Sequence, residues 1–496
     1  MTISFSNIPG NLRTPLFFAE FDNSQANTAT ATQRTLILGQ MTVATPISEN
    51  TPIIESSAST VAGVFGAGSM LHNLMTAYLA NDSSAEIYLL PLVDGSAMVA
   101  AEGTLTITSA ATDTGVISLY VAGTRVQISV VATDTIADIA TALAAAINGT
   151  SSLPVTAVAV AGAVTLTAKN KGAHGNDIDL RLNYLGSAGG EQTPAGLALT
   201  ISPMSAGAGA PDLTDALANL GDQTFDFIVN PYTDTTSLDA VKAFLSDGTG
   251  RWSYASQLYG HSLGVLAGTL GQLTAAGEAR NDQHASLVGI YDSPTPAYIW
   301  SAAVYGAIAG SLRNDPGRPL QTLTVSGVLA PPLASRFTLT ERNNLLYSGI
   351  STVTVADDGS VQIENVITTY QTNAYGNADD SYLQVETLFL LMYVTRYIRT
   401  QITSKFARMK LAADGTRFAA GSAIVTPNTI RAELIAQYTA LENGGYVQDS
   451  TAFASGLVVE QNATNPNRVD VLWDGTLINQ LRIFALLNQF RLQPAA

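Results

Sequence analysis

The 496-residue chain contains no cysteine. This excludes disulfides, thiolate zinc sites and a cysteine nucleophile, and leaves packing and backbone pairing to hold the fold. Charge is also scarce: 12% of residues are charged, about half of the roughly 25% usual in soluble globular proteins. The charge present leans acidic, with 39 Asp and Glu against 23 Lys and Arg for a formal net charge of -16. Phosphate backbones and anionic lipid surfaces are therefore repelled, and no nucleic-acid partner is expected. The four histidines, His72, His174, His261 and His284, are scattered without metal-ligand spacing, so neither metal nor cofactor is expected. Long apolar runs are missing. The richest, LFLLMYV at 388–394, falls far short of the ~20 residues needed to cross a bilayer, and Arg396 and Arg399 follow it. No G-x-x-x-x-G-K-[ST] occurs, so no phosphate-driven motor is encoded. The N-terminus, MTISFSNIPGNLRTPLFF, lacks the basic start and continuous apolar stretch of a signal peptide, and synthesis and retention in the cytoplasm are expected.

Ala, Thr, Ser, Gly and Asn fill the place of the missing charge. They make close, weakly solvated contacts, so much of the exterior is expected to lie in subunit interfaces. The length exceeds what one compact core usually accommodates and implies two to four domains. Residues 1–25 show no helical period. Pro9, Gly10 and Pro15 interrupt a series of apolar residues that includes Phe5, Ile8, Phe17, Phe18 and Phe21. Such aromatic content is foreign to a solvated tail and reads as an extended arm that orders against something.

Residues 26–95 and 206–365 alternate buried strands (35–39, 86–93, 225–229, 286–292) with helices (near 69–81, 212–220, 237–246 and 297–313). This pattern predicts an α/β core, a mainly parallel sheet covered by helices. Between them, residues 96–205 change to short Thr/Val/Ala strands with one helix near 135–147, an inserted small β-rich domain of α+β character. Residues 366–480 form a C-terminal α+β domain. Its long helix is expected to start at Asp379, Asp380 and Ser381, with Ser381 and Gln384 at capping-box spacing. It would place Leu388, Leu391, Met392, Ile398, Ile402, Phe406 and Met409 within one arc. A second helix is predicted from Thr426-Pro427 to Gly444-Gly445. Strand-like VDVLW, with Val469, Val471 and Trp473, precedes an Asp474-Gly475 turn. Residues 481–496 are a C-terminal strand arm on which Phe484, Leu486, Phe490 and Leu492 alternate to one side. An apolar edge of this kind invites pairing with another chain.

Three features bear on chemistry. Gly260-His261-Ser262-Leu263-Gly264 matches the G-x-S-x-G nucleophile elbow, and an α/β-hydrolase-like serine enzyme centred on Ser262 is the alternative reading. However, the SQLY before it is a poor buried strand, and His284, the one downstream base, is too near to leave room for the intervening strand and acid. Asp357-Asp358-Gly359 and Asp379-Asp380 lack the ligand series of a calcium loop and read as turn and cap residues. Arg396, Arg399, Lys405, Arg408 and Lys410 are the one basic concentration. They either complement the negative end of the long helix or contact an acidic partner.

The stretches PTPAYIWSAAVYGAIAG (294–310), RNDPGRPLQTLTVSGVLAPP (313–332), ENVITTYQTNAYGNADDSYLQVETLFLLMYVTRYIRTQ (364–401) and LINQLRIFALLNQFRL (477–492) resemble Mu-like contractile phage tail sheath proteins. The resemblance covers nearly the whole chain and is weakest in the insertion. It implies a non-catalytic, subtilisin-like middle domain, because adjacent His261 and Ser262 cannot reproduce the spacing of an Asp226, His261, Ser262 set. It also implies a helical homopolymer around the tail tube protein, with baseplate and tail terminator proteins as further partners and no membrane insertion. Localisation would be the virion tail, after assembly in the host cytoplasm. Terminal arms would pass between neighbours by β-augmentation, and the basic residues of the long helix would face the tube. A tailocin or other phage-derived injection device would use the same subunit.

Overall fold

The computed structural model describes residues 33–42 and 49–493. The first strand, β1 (Arg34–Gln40), is buried along nearly its whole length, as expected of a strand covered on both faces. Next come β2 (Ile53–Ile54), α1 (Ala58–Phe65), α2 (Met70–Leu79) and β3 (Glu86–Leu92). Ser69 starts α2 by accepting the His72 N–H on its Oγ at 3.2 Å. The helix then buries Leu71, Leu74, Met75 and Tyr78. β3 lies parallel to β1, the pairing that a helical crossover permits.

The chain then departs into β4 (Glu102–Ser109), β5 (Gly115–Val121), β6 (Thr124–Val130), α3 (Ile136–Gly149), β7 (Val155–Val160), β8 (Ala163–Ala168), β9 (Leu180–Leu182) and β10 (Ala198–Ser205). Two antiparallel sheets result, in orders β10-β4-β8-β7 and β6-β5-β9. They share with α3 a core of their own that includes Leu105, Leu119, Leu143 and Leu166. A reciprocal Thr135–Asp138 capping box starts α3. Asn170 ties this unit back to the first: its Oδ1 accepts the Met70 N–H at 2.8 Å and its amide donates to the Met41 carbonyl at 3.1 Å.

The return adds α4 (Thr214–Ala218), β11 (Phe227–Val229), α5 (Thr235–Leu245), β12 (His261–Ala267), α6 (Leu270–Glu278), β13 (Ala285–Ile290), α7 (Ala297–Leu312), β14 (Thr324–Val325), α8 (Leu339–Tyr347), β15 (Ile350–Val355) and β16 (Val361–Asn365). The sheet runs β14-β16-β15-β13-β12-β11-β1-β3-β2. Its inner six strands are parallel, and β2, β16 and β14 pair antiparallel at the edges. The Asp358-Gly359 turn joins β15 to β16, with Asp358 Oδ1 accepting the Ser360 N–H at 2.9 Å. α7 is buried nearly all round. Its polar tips are satisfied inside: Trp300 Nε1 donates to Ser293 Oγ at 2.8 Å and the Tyr305 hydroxyl to the His261 carbonyl at 2.7 Å.

The last part comprises α9 (Val385–Phe406), β17 (Lys410–Leu411), β18 (Ile424–Val425), α10 (Pro427–Asn443), β19 (Val447–Gln448), α11 (Ser450–Gly456), β20 (Val458–Gln461), β21 (Val469–Leu472) and β22 (Thr476–Leu477). α10 has the predicted Thr426 cap and proline in its first turn. The expected start of α9 is corrected, because residues 382–384 are held by another segment. Thr368 donates its N–H to the Leu383 carbonyl at 2.9 Å and its hydroxyl to Tyr382 at 2.8 Å, and Ile367 bridges Gln384. Asp379 Oδ1 meanwhile takes the Ser381 N–H at 2.9 Å. The Ser381 box therefore does not form, and Gln384 is the N-cap without a side-chain bond. Met409 lies past the end of α9 and is exposed.

Candidate assembly interface

The G-x-S-x-G pentapeptide does not form an elbow. His261 and Ser262 open β12, paired with Phe227 and Ile228 of β11, and Ser262 is 2% exposed. Successive side chains of a strand point to opposite faces, so the His261 ring is directed away from Ser262. The single hydroxyl proton of Tyr305 goes to the His261 carbonyl, so Nδ1–H of His261 donates to the Tyr305 oxygen at 2.8 Å, and Nε2 accepts from Ser286 at 3.1 Å. Burial, with His284 as a lesser cause, pushes the pKa of this neutral imidazole down to about 3. His284 is itself bonded to Asp247 at 3.0 Å and stacked on Trp252.

A cleft of about 790 Å³ lies at the other end of β12. It is lined by Val265, Leu266, Tyr232, Asp234 and His174, and Ser262 does not line it. In parallel α/β sheets the carboxyl ends of the strands are where ligands bind, and Ser262 sits at the amino end. Among the described residues, no group of three or more His, Asp or Glu is arranged to hold a metal. No described helix is long and apolar enough to cross a membrane.

The basic concentration on α9 divides in two. Arg396 pairs with Asp226, whose side chain is 1% exposed, and donates to the Leu258 carbonyl at 3.0 Å while lying over the Tyr259 ring. Burial still raises the Asp226 carboxyl above its usual range, with Arg396 opposing the shift. Lys405 pairs with Glu433 of α10, a carboxylate that also accepts from Gln437. Arg396 and Lys405 are thus engaged in ion pairs within the subunit. Arg399, Arg408 and Lys410 are exposed.

The residues named for the arms also separate. Phe5, Ile8, Phe17, Phe18 and Phe21 lie outside the described residues. Val469 and Val471 stand on β21, which pairs with β20 in a two-stranded ribbon. Val471 and Leu472 are exposed there. Trp473 is half-buried and packs against the C-terminal core: its ring lies 5.8 Å from Tyr438 and 5.7 Å from Phe453, beside the α10–α11 packing. Beyond Arg482 the chain forms no hydrogen-bonded strand among the described residues. The expected strand therefore has no partner among the described residues. Phe484, Leu486, Phe490 and Leu492 are 75–92% exposed, and so are Ile483 and Leu487 on the alternate positions. Contiguous apolar exposure on this scale marks an interaction surface. Its signal in the sequence was the apolar run itself. The exposure of the odd positions was missed, because alternation was expected to cover one side.

A helix-covered sheet with an exposed apolar tail that has no strand partner among the described residues fits a structural subunit built for assembly. The chain belongs to the phage tail sheath family and is a contractile sheath subunit: residues 206–369 match the phage tail sheath protein central domain, and residues 377–491 the phage tail sheath C-terminal domain. It is 41% identical to the Mu-like prophage FluMu tail sheath protein of Haemophilus influenzae, over 99% of this chain and 100% of that one. Among solved structures, the sheath tail protein of Desulfitobacterium hafniense is 15% identical with a TM-score of 0.49, covering 94% of this chain and 97% of that one. The contracted PVC sheath of an extracellular contractile injection system is 12% identical with a TM-score of 0.49, covering 99% of each.

Proposed function

We propose that this subunit polymerises helically around a tail tube and that its two ends make the polymer continuous. The observation that carries the reading is the exposed apolar segment 483–492, which has no strand partner among the described residues. The β20–β21 ribbon, with Val458, Val471 and Leu472 exposed, is the kind of short sheet that such a segment extends by β-augmentation. Residues 1–25 are the second arm. Contacts passed from one subunit to the next without closing give a helical polymer. Arms anchored by backbone pairing let subunits rearrange without separating, so an extended sheath can relax into a shorter one and drive the tube through a host envelope. The subunit resides in the virion tail, or in the sheath of a related injection device, and meets baseplate and terminator proteins at the polymer ends.

In this reading residues 26–95 with 206–365 are the non-catalytic, subtilisin-like core, 96–205 an outward insertion and 366–480 the C-terminal domain. Arg399, Arg408 and Lys410 are the cations left to face an acidic tube surface. The test is a chain ending at Arg482. It should fold as a monomer and form no tubes by negative-stain electron microscopy, and tubes of ordinary length would sink the assignment. Reversing charge at Arg399, Arg408 and Lys410 should reduce co-sedimentation with tube protein and spare self-assembly.

A further inference from the structure

The exposed tail leaves the protein from a built anchor. The Leu481 carbonyl accepts from Gln321 Nε2 at 3.0 Å, and Arg482 Nη1 lies 3.4 Å from Gln321 Oε1. The Arg482 guanidinium pairs with Glu386, a carboxylate of 0% exposure in the first turn of α9. The Oε1 of Glu386 also accepts the Leu320 N–H at 3.0 Å. Three segments distant in sequence therefore meet here: the loop following α7, the start of α9 and the root of the tail. From Ile483 onward every described side chain is exposed.

This anchor is poorly suited to adding stability. Glu386 Oε2, Arg482 Nε and Gln480 Nε2 are buried without a hydrogen-bond partner among the described residues. A buried pair with incomplete hydrogen bonding returns little of its desolvation cost. Burial raises the pKa of Glu386 even though Arg482 opposes the shift. For a raised carboxyl the stabilising contribution is present at low pH and lost as pH rises, so the ionised group is a cost to the fold at neutrality. What the pair does fix is geometry. Resting on the assignment of 483–492 as the exchanged segment, we infer that Glu386, assisted by Gln321, is a positioning residue for assembly. It holds the tail root against the loop after α7, so that the segment is presented to the neighbouring subunit in one direction.

The test uses the full chain carrying Glu386→Gln, which keeps the shape and an acceptor for Leu320 but removes the charge that holds Arg482. Arg482 stands at the root of an exposed tail and can turn to water once unpaired, unlike a fully enclosed charge, so the variant should keep the wild-type unfolding midpoint or exceed it. Trypsin cleavage after Arg482 should accelerate about ten-fold or more, as expected on losing a charged contact, while cleavage after exposed Arg491 stays constant. Polymerisation should slow by a comparable factor. Gln321→Ala, which leaves the ion pair in place, should shift both rates in the same direction by less, and it carries the test if Glu386→Gln fails to fold. Wild-type polymerisation by the folded variants, with the chain ending at Arg482 still unable to polymerise, would overturn the positioning role and leave the tail assignment standing. Polymerisation by the truncated chain would instead overturn the tail assignment itself.

Discussion

β12 and residues 481–492 are both short, apolar stretches set off by polar or turn residues, and they meet opposite fates. The first five residues of β12 are buried, with β11 and β13 parallel on either side. Among the described residues, the tail touches its own subunit at Leu481 and Arg482 and is exposed beyond them. Hydrophobicity does not separate them, since the tail carries the larger side chains. Partners do. Apolar surface stabilises whichever assembly removes it from water, which for β12 is the subunit and for the tail, in the function proposed above, is the neighbouring subunit.

The contrast is broken most forcefully by taking the same side chain from each kind of environment. Phe227 stacks on Phe389 and is fully buried, so Phe227→Ala should cost about 3–5 kcal/mol in chemical denaturation. Phe484→Ala should stay within about 0.5 kcal/mol of wild type for the monomer while reducing tube yield. Cations on α9 offer a second pair. Arg396→Ala strands buried Asp226 and should cost about 3 kcal/mol, whereas Arg399→Ala should leave the midpoint unchanged and weaken co-sedimentation with tube protein. A third test sharpens the account of β12 through pH. The pKa of His261 is depressed to about 3, so its contribution is complete above the unfolded value near 6.5 and is lost as pH falls toward 3, amounting to about 2 kcal/mol at pH 5. His261→Gln should flatten that part of the stability profile. The smallest effect belongs to Ser262→Ala, expected below about 1 kcal/mol and without consequence for assembly. A larger change in assembly would mean that the serine has a role beyond filling its place in the strand.

Much of the central sheet was legible because β1, β3, β13, α2, α5 and α7 declare themselves by periodicity, and α10 by its Thr426-Pro427 start. β12 was not. It opens with His and Ser, and Gly264 breaks the apolar run for a reason visible only in three dimensions: a Cβ there would lie 3.0 Å from Thr233 Cγ2 and 3.1 Å from the Asn230 carbonyl. The Ser381 cap failed because Asp379 takes the Ser381 N–H that Gln384 would have used, while Thr368 holds the Tyr382 and Leu383 carbonyls outside the helix. A local spacing rule does not contain those competitors. The Arg396 ion pair was not legible, because its partner, Asp226, is 170 residues away. The tail was found by its apolar residues, but the anchor at Glu386 was invisible, since a lone Glu in a first helical turn ordinarily reads as a dipole complement.

Asn170, which ties the 102–205 unit to the backbone at Met41 and Met70, carries a practical consequence. Lys169 beside it donates to the Ala67 carbonyl at 2.9 Å, and Arg181 pairs with Asp292 at 3.0 Å on the far side of the junction. Fastened at both places, the insertion works as a pointer fixed to the central sheet. A fluorophore attached at exposed Val158 would therefore report, through its polarisation, the angle through which each subunit turns.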